Sequence, residues 1–190
     1  MKKYTIVVFL LASFLSFSQE KYEKEYRIKP DQAPKNAVKF INELNFKKKI
    51  KWYAEESNDG KTFEAKTCHL KHLFSVEFTK EGYLIDVEKK VSFSDLNKVI
   101  QQNINNSLSK KFVKFRIKKV QQQFKGQKND LKKIFLNSFK TDGKQEVFYE
   151  IIVKGKENDT YKLYEVLLDA EGNISKILTF RAINSLNLEF

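Results

Sequence analysis

The clearest pattern in the chain is a segment of alternating apolar and polar residues that occurs twice, ninety positions apart. The first copy spans residues 73–87 and the second spans 163–177. Each copy is interrupted by a glutamate–glycine pair that ends in Gly82 or Gly172. Because alternation is typical of strands and glycine accepts the positive φ of a tight turn, each copy predicts a β-hairpin. A hairpin that recurs at a long interval also predicts a duplicated domain.

Other segments follow either the helical or the strand period. Apolar residues spaced three and four apart predict helices at about 33–45 and 95–109. Two alternating strands joined by an Asn58-Asp59-Gly60 turn should follow the first helix. Residues 126–146 have no counterpart in the first half and should include a short extra helix. Further strands are expected at about 72–80, 83–92, 111–119, 146–154, 160–169 and 173–181.

The order of these elements predicts an α+β fold made of two tandem repeats. Each repeat is one helix followed by a roughly four-stranded antiparallel meander, with the helices packed on one sheet face. The second sheet face is then left open to water or to a partner. The predicted divisions are a signal peptide at 1–18, an N-terminal lead-in at 19–33, a first repeat at 34–93, and a second repeat at 94–190 that contains the 126–146 insertion.

The N-terminus has the pattern of a secretory signal peptide. Lys2 and Lys3 precede an apolar run at 6–15, and Ser16 and Ser18 are the small residues before a cleavage point. We therefore expect export, either to the periplasm or out of the cell. No cysteine lies at the cleavage point, so a lipid anchor is not indicated. No later apolar stretch is long enough to span a membrane, so the mature chain should have no membrane span.

The charge balance is strongly basic. The whole chain has 36 lysine and arginine residues against 24 aspartate and glutamate residues, and removal of the two signal-peptide lysines leaves 34 against 24, a net charge of +10. Such a charge attracts polyanions. Because export makes nucleic acid a poor partner, an anionic envelope glycolipid, an acidic polysaccharide or an acidic protein is favoured. The alternative is that the lysines only keep the surface soluble.

Soft metal ligands and nucleophiles are scarce. The one cysteine, Cys68, excludes an intramolecular disulfide, and with His69 and His72 it forms the sole soft-ligand cluster of the sequence. On one continuous strand the two histidines would face opposite sides, and Cys68 would lie about 13 Å from His72. A turn at 70–71 would bring them together, but nothing in the sequence requires it. We expect no metal and no cofactor.

The acidic residues give no sign of catalysis either. Asp86 and Glu88 alternate with apolar residues and are interpreted as exposed surface residues, without the apolar setting that separates the pKa values of catalytic carboxylates. A chain with six glycines also offers no glycine-rich phosphate loop. The sequence therefore predicts a protein that is not an enzyme.

The strand expected after the second helix carries the most specific surface pattern. Lys114, Arg116 and Lys118 share one parity with Phe112, opposite an apolar row. Tyr53 has the same parity on the corresponding strand of the first half. These five residues are the candidate contacts for a partner, because a basic row with exposed rings holds a ligand by charge and ring contact. The alternative is an ordinary solvated sheet face.

These features together resemble the PepSY-like family of small exported bacterial domains. The resemblance lies in the apolar helix at 96–108, the Tyr164-Glu165-Val166 strand, and the acidic turn at 169–172 that leads into Ile174. Two such units in tandem are similar to β-lactamase-inhibitor-like proteins. The chain departs from those inhibitors because one cysteine cannot form bracing disulfides, and because no residue matches an active-site plug.

The resemblance implies a non-enzymatic module whose ligand is undefined. We therefore expect an exported binding protein that binds another protein, or acts as an inhibitor-like domain, through the open sheet face. The alternative function is binding of an anionic envelope component, either a glycolipid or an acidic polysaccharide.

Overall fold

The computed structural model describes residues 19–136 and 143–180, so the predicted signal peptide at 1–18 lies outside the described residues. The described helices are α1 (Lys35–Glu43), α2 (Lys98–Lys111) and α3 (Lys128–Leu136). The described strands are β1 (Gln19–Lys21), β2 (Glu23–Ile28), β3 (Lys51–Ser57), β4 (Gly60–His69), β5 (His72–Thr79), β6 (Leu84–Val91), β7 (Lys114–Lys125), β8 (Glu146–Glu157), β9 (Thr160–Leu168) and β10 (Ile174–Phe180).

In this part of the chain all ten strands belong to one sheet. Their order is β1-β10-β9-β8-β7-β6-β5-β4-β3-β2, and every neighbouring pair from β2 to β10 is antiparallel. Strand β1 joins the β10 edge in parallel. The sheet is therefore a long meander whose consecutive strands are also neighbours in space.

The predicted fold, two helix-plus-meander repeats of the α+β class, is wrong. The strands of the two halves form one continuous sheet, since β6 pairs with β7 across the expected boundary. The insertion supplies the helix α3, whose Leu131 and Ile134 are fully buried in the same core as α1. A helix from the second half thus completes the packing of the first half, and neither half has its own meander and helix as a separate unit.

The sheet curls because of how its first two strands are connected. Strands β1 and β2 are separated by Tyr22 alone, yet β1 pairs with β10 and β2 pairs with β3 at the opposite end. A segment this short reaches both strands only if the sheet bends until β3 and β10 approach one another. The face turned away from the helices becomes the inner side of this curl, and we refer to it as the concave face.

The outer face of the sheet is covered by the helices over two hydrophobic clusters of the described residues. Helices α1 and α3 cover the first cluster, and α2 covers the second. The first cluster includes Phe40, Ile41, Trp52, Val76, Phe78, Val87, Phe124, Leu131 and Ile134, and the second includes Ile104, Leu108, Phe112, Ile151, Val153, Tyr164, Val166 and Leu168.

The two hairpins expected from alternation are confirmed as β5–β6 and β9–β10. Gly82 and Gly172 occupy their turns with φ angles of 85° and 88°. A β-carbon on Gly82 would lie 2.8 Å from Cβ of Pro34, and one on Gly172 would lie 3.1 Å from Cγ1 of Ile104. Each glycine is therefore required for two reasons, which are the positive φ of the turn and the close approach of a helix.

Candidate functional site

Much of the concave face is polar because strands β3 to β7 present their polar alternate residues to it. Directly opposed residues of neighbouring strands place their side chains on the same face. The register aligns Tyr53 with Glu64, Glu64 with Glu77, and Glu77 with Asp86. Because their sequence neighbours Trp52, Ala65, Val76 and Val87 are buried in the first cluster on the outer face, this row lies on the concave face.

A second row runs parallel to the first, one alternation further along each strand. It aligns Lys66 with Ser75, Ser75 with Glu88, and Glu88 with Gln123. The next row places Gln121 opposite Glu150. The carboxylates of these rows form a contiguous surface, which we call the acidic floor and which consists of Glu64, Glu77, Asp86, Glu88 and Glu150.

The curl encloses a groove above the acidic floor. Its volume is about 1510 Å³, and it is lined by residues from every strand between β2 and β10. Toward β8, β9 and β10 apolar side chains join the lining and alternate with the charged side chains of Glu165 and Lys176. We call this second surface the apolar wall, which consists of Ile152, Leu163, Leu167 and Leu178. Ile152 is 3 % exposed, and the other three are half-buried.

Two buried glutamines organise the floor. The Nε2 group of Gln123 donates hydrogen bonds to Oδ2 of Asp86 at 2.9 Å and to Oε1 of Glu88 at 3.2 Å. Gln121 donates through its own Nε2 to the second carboxylate oxygen of Glu88. Since an amide group carries two N–H donors, Gln123 bridges two neighbouring carboxylates that would otherwise repel each other at close range.

Two acceptors of the floor have no hydrogen-bond partner within the described residues. They are Oδ1 of Asp86 and Oε1 of Gln123. Asp86 is 1 % exposed and Gln123 is 6 % exposed, and both line the groove. Most buried polar atoms in proteins have a partner. These two atoms therefore mark the place where the floor lacks hydrogen-bond donors.

Burial raises the pKa of Asp86 well above its usual range, and Glu77 adds to the rise while Lys125 opposes it. The pKa of Glu88 is raised well above its usual range too, first by burial and then by Glu150 and Asp86. Loss of solvation and repulsion between like charges both favour the neutral form of a carboxyl group. Both carboxyl groups therefore release their protons at a higher pH than exposed carboxyl groups do.

Glu64 lies at the edge of the floor and has a cationic neighbour. Its pKa rises to about 7 because burial, assisted by Glu25 and Glu77, outweighs the attraction of Lys66. The ammonium of Lys66 lies 2.9 Å from Oε2 of Glu64 and 2.7 Å from Oε1 of Glu25. Ser75 donates its hydroxyl to the other oxygen of Glu64.

The predicted contact residues are not all brought together. Tyr53 lies on the concave face, where the ammonium of Lys66 stands 4.9 Å from its ring centre. Lys114 and Arg116 are exposed on the same face of the sheet at the N-terminal end of β7, four strands away from β3. Lys118 is exposed at an irregularity of the β7–β8 register. Their role as partner contacts stays a prediction.

The placement of Phe112 on the open face is wrong. Helix α2 continues to Lys111, and the backbone N–H of Phe112 closes it by donating to the carbonyl of Leu108. The ring is 2 % exposed and packs 4.7 Å from the ring centre of Tyr164, in the space left by Gly155. The alternation of the basic strand begins only after this residue, so its parity does not extend to position 112.

The interpretation of Asp86 and Glu88 as exposed surface residues is wrong as well. Alternation of polar and apolar residues along a strand indicates that two residues share a face of the sheet, but it does not indicate whether that face is exposed to solvent. The sequence did contain a signal, because polar residues alternate in the same way at Glu64, Gln121 and Gln123. That signal predicts a continuous polar face, whereas its burial depends on the curl of the sheet.

The histidines end up opposite each other. Leu70 and Lys71 adopt positive φ angles of 46° and 66°, and the turn that they form pairs His69 with His72. The ring of His69 packs against Phe46, with their centres 5.3 Å apart. In residues 19–136 and 143–180, no group of three or more histidine, cysteine, aspartate or glutamate side chains is arranged to hold a metal. Within the same residues, none of the helices has the length and apolar character to cross a membrane.

No family model and no curated protein sequence matches the chain. Among solved structures, it is similar to the crystal structure of a DUF2874 family protein from Bacteroides ovatus, with a TM-score of 0.52 and 15 % sequence identity. The similarity covers 78 % of this chain and 89 % of the other. At this identity the similarity shows the fold alone.

Proposed function

We propose that this protein is an exported, non-enzymatic binding module that holds a segment of another protein in the groove of its concave face. The groove itself is the observation that carries the proposal. Small-molecule pockets are typically about 300–1,000 Å³, whereas this groove measures about 1510 Å³ and is lined by most of the sheet. A polypeptide segment suits such a volume better than a metabolite does.

The lining also supports a protein partner. Interfaces between proteins combine an apolar core with hydrogen-bonding groups. In this groove the apolar wall and the acidic floor lie side by side on neighbouring strands of the same face. The proposal includes the resemblance to PepSY-like and β-lactamase-inhibitor-like proteins, which implies the same use of the sheet as a binding surface.

Site-specific photocrosslinking in the native cell envelope tests the proposal. A photoreactive amino acid at Leu163 or Leu167 should form a discrete adduct with one protein, which is then purified and shown to bind the chain directly. The matched control is Val99, which is 60 % exposed on α2, on the opposite side of the sheet. Equal labelling from all three positions, or no adduct from the groove positions, would contradict a binding groove.

Export is checked by sequencing the N-terminus of the protein recovered from cells. Cleavage after Ser18 should leave Gln19 as the first residue, which is also the first residue of β1. Recovery of the intact N-terminus from a cytoplasmic fraction would contradict export.

A second function is supported by one observation. At the N-terminal end of β7, Lys114 is directly opposite Lys156, and Arg116 is directly opposite Lys154. Like charges in opposed positions repel each other, so this cluster favours an anionic ligand such as an envelope glycolipid or an acidic polysaccharide.

Charge reversal separates this function from the first. Substitution of Lys114, Arg116 and Lys118 by glutamate should abolish retention on vesicles that contain the anionic glycolipid. The control reverses three exposed lysines on the helices, at positions 35, 39 and 98, and changes the net charge equally. Equal losses in the two variants would show that only the overall charge matters.

A further inference from the structure

The acidic floor lacks a hydrogen-bond donor. At the acidic floor the atoms without a hydrogen-bond partner among the described residues are Oδ1 of Asp86 and Oε1 of Gln123; both are acceptors, and both belong to side chains that line the groove. The N–H donors of Gln123 are already directed at Asp86 and Glu88. A ligand that completes this site must therefore bring donors of its own.

Two of the nearby lysines, Lys66 and Lys125, have other partners. Lys66 forms ion pairs with Glu25 and Glu64 at 2.7 and 2.9 Å. Lys125, which faces Asp86 from β7, holds its ammonium 5.4 Å from the ring centre of Phe148. Neither lysine is within hydrogen-bond distance of the unpartnered oxygen of Asp86.

The charge of the floor selects the kind of donor. Five carboxylates converge on this part of the concave face, and an ammonium or guanidinium group offers several donors, a positive charge and no acceptor. A neutral donor would leave the negative potential uncompensated. A metal ion fits less well, because the described residues contain no group of three ligands in the arrangement that a metal requires.

We propose that the groove receives a polypeptide segment that places a lysine or arginine side chain against Asp86 and Gln123 while its apolar neighbours lie on the apolar wall. This inference rests on the proposed function and adds the chemistry of the partner. The wall is what favours a polypeptide over a free polyamine, because Ile152, Leu163 and Leu167 offer apolar surface that a polyamine cannot cover with comparable gain.

Proton release should accompany the binding. Asp86 and Glu88 have raised pKa values, and the charged groups that surround them are Glu64, Glu77 and Glu150 on the acidic side and Lys119 and Lys125 on the basic side. An incoming cation stabilises the ionised carboxylates and therefore displaces their protons. Affinity for the cation should rise with pH until the floor is fully ionised.

An NMR titration of the folded protein tests the inference. The side-chain amide signals of Gln121 and Gln123 report on the floor, and the probes are N-acetyl-lysine amide and its neutral and acidic counterparts, N-acetyl-norleucine amide and N-acetyl-glutamate amide. The lysine probe should shift both glutamine signals with a Kd of about 1 mM, as expected for a ligand of this size. The other two probes should leave the signals unchanged.

A pair of short blocked peptides then extends the test to a polypeptide. One alternates leucine with lysine, and the other has glutamine at each lysine position. The lysine peptide should bind at least about tenfold more tightly than the lysine probe, since it also covers the apolar wall. Its binding should release protons, measured by calorimetry in two buffers of different ionisation enthalpy.

Substitution identifies the site. Asp86→Asn keeps an acceptor for Gln123 but removes the charge, so the affinity for the lysine peptide should fall about tenfold or more. Glu88→Gln serves as the second variant if the first does not fold, as judged by circular dichroism. Glu171→Gln is the matched control, because Glu171 is exposed in the β9–β10 turn, is not among the residues that line the groove, and its substitution removes the same charge.

The outcomes separate the inference from the proposed function. Equal affinity for the lysine and glutamine peptides would overturn the cationic partner while leaving a binding groove intact. Tighter binding of spermidine than of the lysine peptide would overturn the polypeptide occupant. If no cationic probe shifts the glutamine signals, the inference fails, and the crosslinking from Leu163 and Leu167 decides the proposed function independently.

Discussion

Glu64→Gln should change how the stability of the protein depends on pH. Glu64 lies at the edge of the acidic floor, where burial raises its pKa from 4.5 to about 7. The groups that face it are Lys66 on its own strand, Glu25 on β2, and Ser75 and Glu77 on β5. The substitution keeps a hydrogen-bond acceptor for Ser75 and removes the group that titrates.

The direction of the pKa change determines whether the free energy of unfolding rises or falls with pH. Between pH 4.5 and about 7, the folded protein holds a proton on Glu64 that the unfolded chain has lost. The free energy of unfolding therefore falls as the pH rises through this window, and it falls no further on account of this group above the folded pKa. Each pKa unit corresponds to about 1.4 kcal/mol, so the contribution is about 3 kcal/mol. The side chain is 15 % exposed, which leaves little room for solvent screening.

Urea-induced unfolding at a series of pH values measures this effect. Trp52, the one tryptophan of the chain, is 3 % exposed and provides the fluorescence signal. From pH 4 to pH 8, the difference in unfolding free energy between Glu64→Gln and the wild type should shift by about 3 kcal/mol in favour of the variant. Comparison across pH cancels any pH-independent cost of the substitution. Parallel stability curves for the two proteins would refute the reasoning, and Glu81→Gln controls for the removal of one negative charge.

Three further substitutions test the packing on the outer side of the sheet. Gly155→Ala would place a β-carbon 2.5 Å from Cδ1 of the buried Phe112, so overpacking should cost about 1–3 kcal/mol in urea unfolding. Asn97→Ala removes the side chain that accepts from the N–H of Val99 at the start of α2, and thermal unfolding should show a loss of about 1 kcal/mol. Phe40→Ala leaves a cavity in the first cluster, where Phe40 is 1 % exposed, and should cost about 3–5 kcal/mol by calorimetry. Losses below about 0.5 kcal/mol in any of the three would contradict the corresponding contact.

The elements were predictable where the pattern is local. Two helices were placed by the spacing of their apolar residues, and the hairpin turns were placed by Gly82 and Gly172. These signals depend on residues a few positions apart, which is the range over which periodicity and turn chemistry act. The same kind of signal failed at Phe112, where a helix end and a strand start meet and both periods fit equally well.

The arrangement of the elements was not predictable in this way. The curl depends on the segment 19–28, whose two strands pair with β10 and β3, and no local pattern reports a pairing between residues near 20 and residues near 180. Because the curl was missed, the burial of Asp86 was missed too, and its carboxylate was assigned to the surface. The sequence therefore predicts an open second sheet face, but it does not predict the acidic groove that this face lines.

The distribution of charge gives the two proposed functions opposite dependences on salt. The mature chain has a predicted net charge of +10, yet the floor of its groove is acidic. A cationic segment would be repelled at long range and attracted only after it enters the groove.

Salt screens the long-range repulsion over about 8 Å at physiological ionic strength, while a buried pair is screened much less. The association rate of a cationic segment should therefore rise with salt, whereas association of a polyanion with the basic end of β7 should slow steeply. Association rates of both ligands, measured over the same series of salt concentrations, therefore distinguish a binding groove with an acidic floor from a basic docking surface.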